Sequence, residues 1–160
     1  GSQFPSNVAA GRHLLEQIAP ACPGVDFVVV GAVCQELKDA RVSGNVSLKG
    51  FVGNLHEVLC ECDALVNPVE MATGVNMKVL QALAHGLRVI STKEGARGFE
   101  PLIGGPVRIG SLKEFPALIE CAERLTPAER RQSGMYDWKN VVSKQLDLYH
   151  ALLQSKRAHV

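Results

Sequence analysis

The residues best suited to chemistry lie in one stretch, 67–81, where Thr73-Gly74 precedes a helical pattern carrying Lys78 and Gln81. Backbone N–H groups at the start of a helix have no partner within it and attract anions. A lysine about one turn inside that helix adds a cationic contact, and an amide three residues on lies on an adjoining face. The chemistry this suits is phosphate binding. On spacing alone, Lys78 and Gln81 read more readily as a solvated helix face.

Other chemistries find less support. Glycine recurs just after the apolar runs, at Gly31, Gly50, Gly53, Gly74, Gly95 and Gly98, where it lets a backbone approach a ligand closely. Yet neither a G-x-G-x-x-G turn after a strand nor a Walker P-loop is present, which removes the common nucleotide fingerprints. None of His13, His56, His85, His150 and His159 pairs with a serine or cysteine as a hydrolase triad requires. Glu94, Arg97 and Glu100 read as solvated loop charges. The five cysteines are scattered and odd in number, which excludes a disulfide framework and a zinc ribbon. Cys60 and Cys62 sit two apart in a helical pattern and so face different ways. Small buried thiols in a reducing compartment, and no metal site, are the expectation.

The elements that must hold these residues alternate. Residues 7–19 space Val8, Leu14, Leu15 and Ile18 along one helix face, with Ser6 or Asn7 as cap and Pro20 and Pro23 as stop. Strands are predicted at 27–31, 46–50, 64–68, 88–92 and 106–110. Helices are predicted from Asn54 through Leu59, over 74–84 with Gly86 as its stop, and over 112–125, 127–134 and 137–154. Strands separated by helices at this spacing argue for βαβ units and a doubly wound parallel sheet with helices on both faces. In such a sheet, ligands bind beyond the carboxyl ends of the strands, which puts 31–33, 50–53, 68–78 and 92–99 around the site.

Length and composition narrow the partners. The chain has 160 residues, 46% hydrophobic and 21% charged, with 17 basic against 16 acidic side chains. One globular domain over 1–160 follows. A net charge of +1 argues against nucleic acid as a partner. No apolar run approaches the ~20 residues of a membrane span and no signal peptide is visible, so the expected location is cytoplasmic.

The order of several pieces is more specific than any one of them. Asn67-Pro68, then Gly74-Val-Asn-Met-Lys78-Val-Leu-Gln81-Ala-Leu-Ala-His-Gly86-Leu-Arg-Val-Ile-Ser-Thr92-Lys-Glu-Gly95-Ala-Arg-Gly98-Phe, resembles the C-terminal, donor-binding domain of GT-B glycosyltransferases of the retaining "glycosyl transferases group 1" type. The opening helix near Asn7, the strand ending at Gly31, and the run Val46 to Gly53 followed by Leu55 to Asp63 fit the same family. The resemblance implies a Rossmann-like domain that binds a nucleotide-diphosphate sugar as donor substrate, with no cofactor and no metal. It implies transfer of a hexose-type sugar to a glycan, lipid-linked or other acceptor, as in polysaccharide biosynthesis, and allows membrane association of the full enzyme. Donor-binding positions implied are Gly31, Phe51, Val52, Gly74, Val75, Asn76, Lys78 and Gln81: the base near Phe51 and Val52, the diphosphate at 74–76, the ribose at Gln81. The catalytic residue stays open, with Glu70 and Thr73 as candidates.

Two departures from the family pattern bear on activity. The common glutamate pair, eight positions apart, is here Thr73 and Gln81. An amide still hydrogen-bonds ribose hydroxyls but lacks the charge-assisted strength of a carboxylate, and threonine cannot replace a glutamate on the donor sugar. The family's N-terminal acceptor domain and the first strand of this domain are also expected upstream, so Gly1-Ser2 reads either as a cloning remnant or as the tail of that strand. The alternative reading is a degenerate module that keeps the fold as a non-catalytic interaction or scaffold domain.

Overall fold

The computed structural model describes residues 1–71, 74–137, 139–140, 142–143 and 146. Helix α1 (Pro5–His13) runs through a π-helical turn (Leu14–Ile18) into a short α2 (Ala19–Ala21). Then follow β1 (Phe27–Val30), α3 (Val33–Leu37), β2 (Val46–Gly50), α4 (Leu55–Glu61), β3 (Ala64–Asn67), α5 (Met77–Ala84) and β4 (Arg88–Ser91). A 3-10 turn (Glu100–Leu102), β5 (Val107–Ile109), α6 (Phe115–Glu120), α7 (Pro127–Ser133) and a second 3-10 turn (Gly134–Tyr136) complete the elements.

Every strand pairing is parallel: β1 with β2, and β4 between β3 and β5. Parallel neighbours need crossover connections, and the intervening helices supply them. The strands form two hydrogen-bonded ladders, β1-β2 and β3-β4-β5, but they share one core layer. Phe27, Val29 and Val46 of the first ladder and Ala64, Val66 and Ile90 of the second pack with Leu14, Ile18, Phe115 and Ile119. Val89, next to Ile90, turns the other way into a layer with Val79, Leu83, Leu87, Phe99 and Val107. All four residues of β4 are buried, as expected of a strand covered on both faces. The fold is therefore the α/β, doubly wound arrangement read from the sequence.

The helix ends differ from expectation, for local reasons. Helix α1 starts at Pro5 behind Phe4, with no side-chain cap from Ser6 or Asn7. Proline suits the first helical position because it lacks an N–H that would have no acceptor there. The π turn brings Leu14, Leu15 and Ile18 all into the core, and Pro20 lies inside α2 rather than beyond it. Helix α3, unforeseen, buries Val33, Cys34 and Leu37. Helix α5 begins three residues later than Gly74, because Gly74 has φ +141° and Asn76 is an extended N-cap. Only Cys22 and Cys34 are buried thiols; Cys60 and Cys121 are exposed, which corrects the expectation of buried cysteines throughout. The expected helix over 137–154, with Trp138, falls largely outside the described residues.

Candidate functional site

Helix α5 opens at the carboxyl end of β3, and its apolar face buries Val79, Ala82 and Leu83 against the sheet. That packing sets the rotation of the helix and leaves Lys78 on its flank. Because α5 starts at Met77, Lys78 is the second helical residue rather than one turn in. Its own amide therefore belongs to the first turn, whose N–H groups point along the axis toward any anion. The Lys78 ammonium donates to Asn7 Oδ1 at 2.7 Å. Asn7 Nδ2 in turn donates to Ser2 Oγ at 2.9 Å, which fixes the amide with its oxygen toward the lysine. Burial pulls the Lys78 ammonium below the usual lysine range, since the charged form loses water there.

Glycines line the neighbouring strand ends. Gly31, at φ +107°, closes β1 and donates to the Gly50 carbonyl at 2.6 Å, so Phe51 and Val52 follow directly beside it. A Cβ on Gly31 would run into the backbone of Gly1, whose carbonyl accepts from Val33 N at 3.0 Å. Phe51 is 89% exposed at this rim, and Val75 and Met77 are exposed as well. Val75 lies over Gly98: a Cβ there would come within 2.9 Å of the valine methyl. Tyr136 donates to the Gly98 carbonyl at 2.6 Å and holds that loop from behind.

Beneath the rim, buried polar side chains brace the loop after β4. Asn67 Nδ2 donates to Ser91 Oγ at 3.0 Å and to the Gly95 carbonyl at 3.1 Å. Thr92 Oγ1 accepts from Gly95 N at 3.0 Å and donates to the Val69 carbonyl. Gly95 is required by this contact, since a Cβ would sit 2.6 Å from Asn67 Nδ2.

The sequence-predicted residues thus divide. Gly31 with Phe51 and Val52, and Gly74, Val75 and Asn76 with Lys78, stand at the same carboxyl rim. Gln81 is exposed on α5, and among the described residues no hydrogen bond links its side chain to Lys78 or Asn7. Of the catalytic candidates, Thr73 lies outside the described residues. Glu70 lies 3.1 Å from His13 Nε2, and His13 Nδ1 meets Gln17 Nε2 at 3.2 Å. Glu70 borders an open cleft of about 680 Å³ that also takes in Gln17, Thr92, Lys93, Ser111 and Lys113. That cleft lies at the ends of β4 and β5 and does not include Lys78, so Lys78 is a candidate anion contact by its polar geometry and not by cavity size. In the sequence Asn7 reads only as a helix cap or part of the opening helix. Nothing local to it signals a partner 71 residues away.

Comparison with known proteins places the chain in a family. A family model described as "Glycosyl transferases group 1" matches residues 2–108. Among solved structures, the chain is similar to AviGT4, a glycosyltransferase involved in avilamycin A biosynthesis, with a TM-score of 0.58 and 19% identity. That likeness covers 96% of this chain and 48% of the other, so the chain spans about half the length of the structure it resembles. No curated protein matches. Among the described residues, no helix is long and apolar enough to cross a membrane. By the family match over most of its length, this chain belongs to the glycosyl transferases group 1 family.

Proposed function

We propose that the chain is the nucleotide-diphosphate-sugar-binding half of a retaining glycosyltransferase that moves a hexose-type sugar to a glycan, lipid-linked or other acceptor. The observation that carries this reading is Lys78, drawn partly out of water at the start of α5 and aimed at Asn7 beside a floor of glycine. A desolvated cation with one protein acceptor among the described residues, next to a helix N-terminus, is an arrangement that favours a diphosphate. As the bond from sugar to diphosphate breaks, charge grows on the leaving phosphate, and both groups stabilise it without reorganising. The phenyl ring of Phe51 offers a face for the base, and Gln81 a hydrogen bond for the ribose.

The acceptor site belongs, in this proposal, to an N-terminal domain that closes over the rim, so turnover needs both halves. The pairing of β1 only with β2, and of β3 only with β4 among the described residues, supports one further parallel strand between them. The test is thermal stabilisation by UDP, GDP and ADP and their sugars. A ligand at a hundred times its Kd adds about 2.7 kcal/mol, which for a chain of this size raises Tm by roughly 5–10 °C. No shift with any of them at millimolar concentration overturns donor binding and favours the scaffold reading.

A further inference from the structure

The first turns of two helices meet beside Lys78. Asn7 is the third residue of α1 and Lys78 the second of α5, and the 2.7 Å bond from Nζ to Oδ1 joins their side chains. Neither first turn carries an acidic residue. A further cation stands near, the terminal ammonium of Gly1. Burial first and the Lys78 charge second pull it below its usual range, and a charge on Cys34 opposes them. Helix N-termini carry partial positive charge, so they too disfavour a cation here. The ammonium is thus held in an unfavourable place by a partner that bears no charge.

We propose that Asn7 is the positioning residue for Lys78: it fixes the ammonium at the rim without cancelling its charge, and so keeps that charge for the diphosphate of the donor. The inference rests on the donor reading above. An ammonium has three donors and no acceptor, so one N–H goes to Asn7 and two remain for phosphate oxygens. A lysine with no such partner loses rotamer freedom when a ligand fixes it, which weakens binding. A carboxylate in place of the amide would hold the ammonium more firmly, but it would neutralise the site and repel a diphosphate. The amide does the first without the second. Its own NH2 donates to Ser2 Oγ at 2.9 Å, which keeps the oxygen turned to the lysine.

The same oxygen acts on protonation. Burial lowers the Lys78 pKa, and an acceptor that bonds only to the charged form works against that fall. Asn7 therefore sets two observables, the affinity for a diphosphate and the pH at which affinity starts to decline. Removing the oxygen lets the Lys78 pKa drop further, so the decline begins at lower pH. Replacing the amide with a carboxylate raises that pKa, so the decline begins at higher pH. Both changes weaken binding at neutral pH, yet they move the onset in opposite directions.

The experiment is calorimetric titration of the full chain with whichever of UDP, GDP and ADP raises Tm most, over a pH range that spans the ordinary lysine value. At neutral pH Asn7→Ala weakens binding about three- to tenfold, the worth of one hydrogen bond. Asn7→Asp weakens it at least about tenfold, because a charge now opposes the ligand. Asn7 is half-buried and outside the core clusters, and Asn7→Asp keeps its shape; melts of each variant confirm folding. In a Lys78→Arg background both onset shifts vanish, since a guanidinium does not titrate. A shift that persists there belongs to the Gly1 ammonium and overturns the inference. So do onsets that move the same way in the two Asn7 variants. Unchanged affinity in both, with affinity lost in Lys78→Met, overturns the role of Asn7 and leaves the donor reading standing. A wild-type chain that binds none of the three overturns both.

Discussion

The two ends of the parallel strands treat their cations in opposite ways. At the amino end, Arg88 opens β4 at 4% exposure and donates to the Glu123 carbonyl at 3.0 Å, the Gly105 carbonyl at 2.8 Å and the Glu129 carboxylate at 2.8 Å. Arg124 reaches the Cys60 and Cys62 carbonyls at the end of α4, both at 2.6 Å. Arg130 occupies the space beside Gly86 that a side chain there would need. At the carboxyl end, Lys78 meets one amide oxygen among the described residues, glycines take the turns, and Phe51, Val75 and Met77 stand in solvent. A planar guanidinium with its donors filled by carbonyls rigidifies a junction. An ammonium with donors to spare, at a rim of bare backbone, keeps its capacity for a ligand. Filled cation partners are concentrated at one end, and the proposed binding site lies at the other.

The comparison breaks most visibly at Arg88. Arg88→Met strands the Glu123 and Gly105 carbonyls at a buried junction and removes the cation beside Glu129, whose carboxylate keeps its bonds from Thr126. Each buried acceptor left unpaired costs about 1–3 kcal/mol, so the loss is about 2–5 kcal/mol. For a chain of this length that lowers Tm by roughly 10 °C, while nucleotide affinity of the folded protein stays unchanged. Thermal melts with and without nucleoside diphosphate read both numbers. A loss under about 1 kcal/mol would mean the arginine junction is not what secures the amino end.

Lys78→Met gives the reverse signature at the other end. A hydrogen bond from a charged group is worth about 1.5–3 kcal/mol, so affinity for a nucleoside diphosphate falls roughly ten- to a hundredfold. Tm holds steady or rises slightly, because a desolvated cation has been replaced by an apolar chain of similar length. Calorimetric titration separates the two ends: a variant that loses Tm and affinity together breaks the division of labour.

What the sequence makes legible follows the range of the interactions. The strands were readable because their cues are local: Phe27 to Val30 is continuous and β-branched, and Pro68 ends β3 beside Asn67. The stop at Gly86 was readable too, and it has the positive φ of +70° that such a stop requires. The start of α5 is not legible in the sequence, because it turns on the torsions of Gly74 and Asn76, which residue type only biases. Asn7 was invisible as a partner of Lys78 because the contact spans the chain. The burial of Arg88 follows from the central place of β4, which is set by pairing with β3 and β5.

The smallest expected effect is the pH dependence of binding, and its sign distinguishes the two ends again. Burial lowers the Lys78 pKa in the free protein, and a bound diphosphate favours the charged form and raises it. Between those two values binding takes up a proton, so affinity is constant at lower pH and falls as pH rises through the lowered pKa. The decline approaches tenfold per pH unit at most and begins below the ordinary lysine value of about 10.4. Folding responds with the opposite slope. The unfolded chain binds more protons than the native one in the window between the lowered pKa and the ordinary one, so Lys78 makes stability rise with pH there. Lys78→Arg keeps its charge throughout and flattens the binding profile. A decline equally steep in Lys78→Arg would assign the titration to another group. A flat wild-type profile would remove the ammonium from the site.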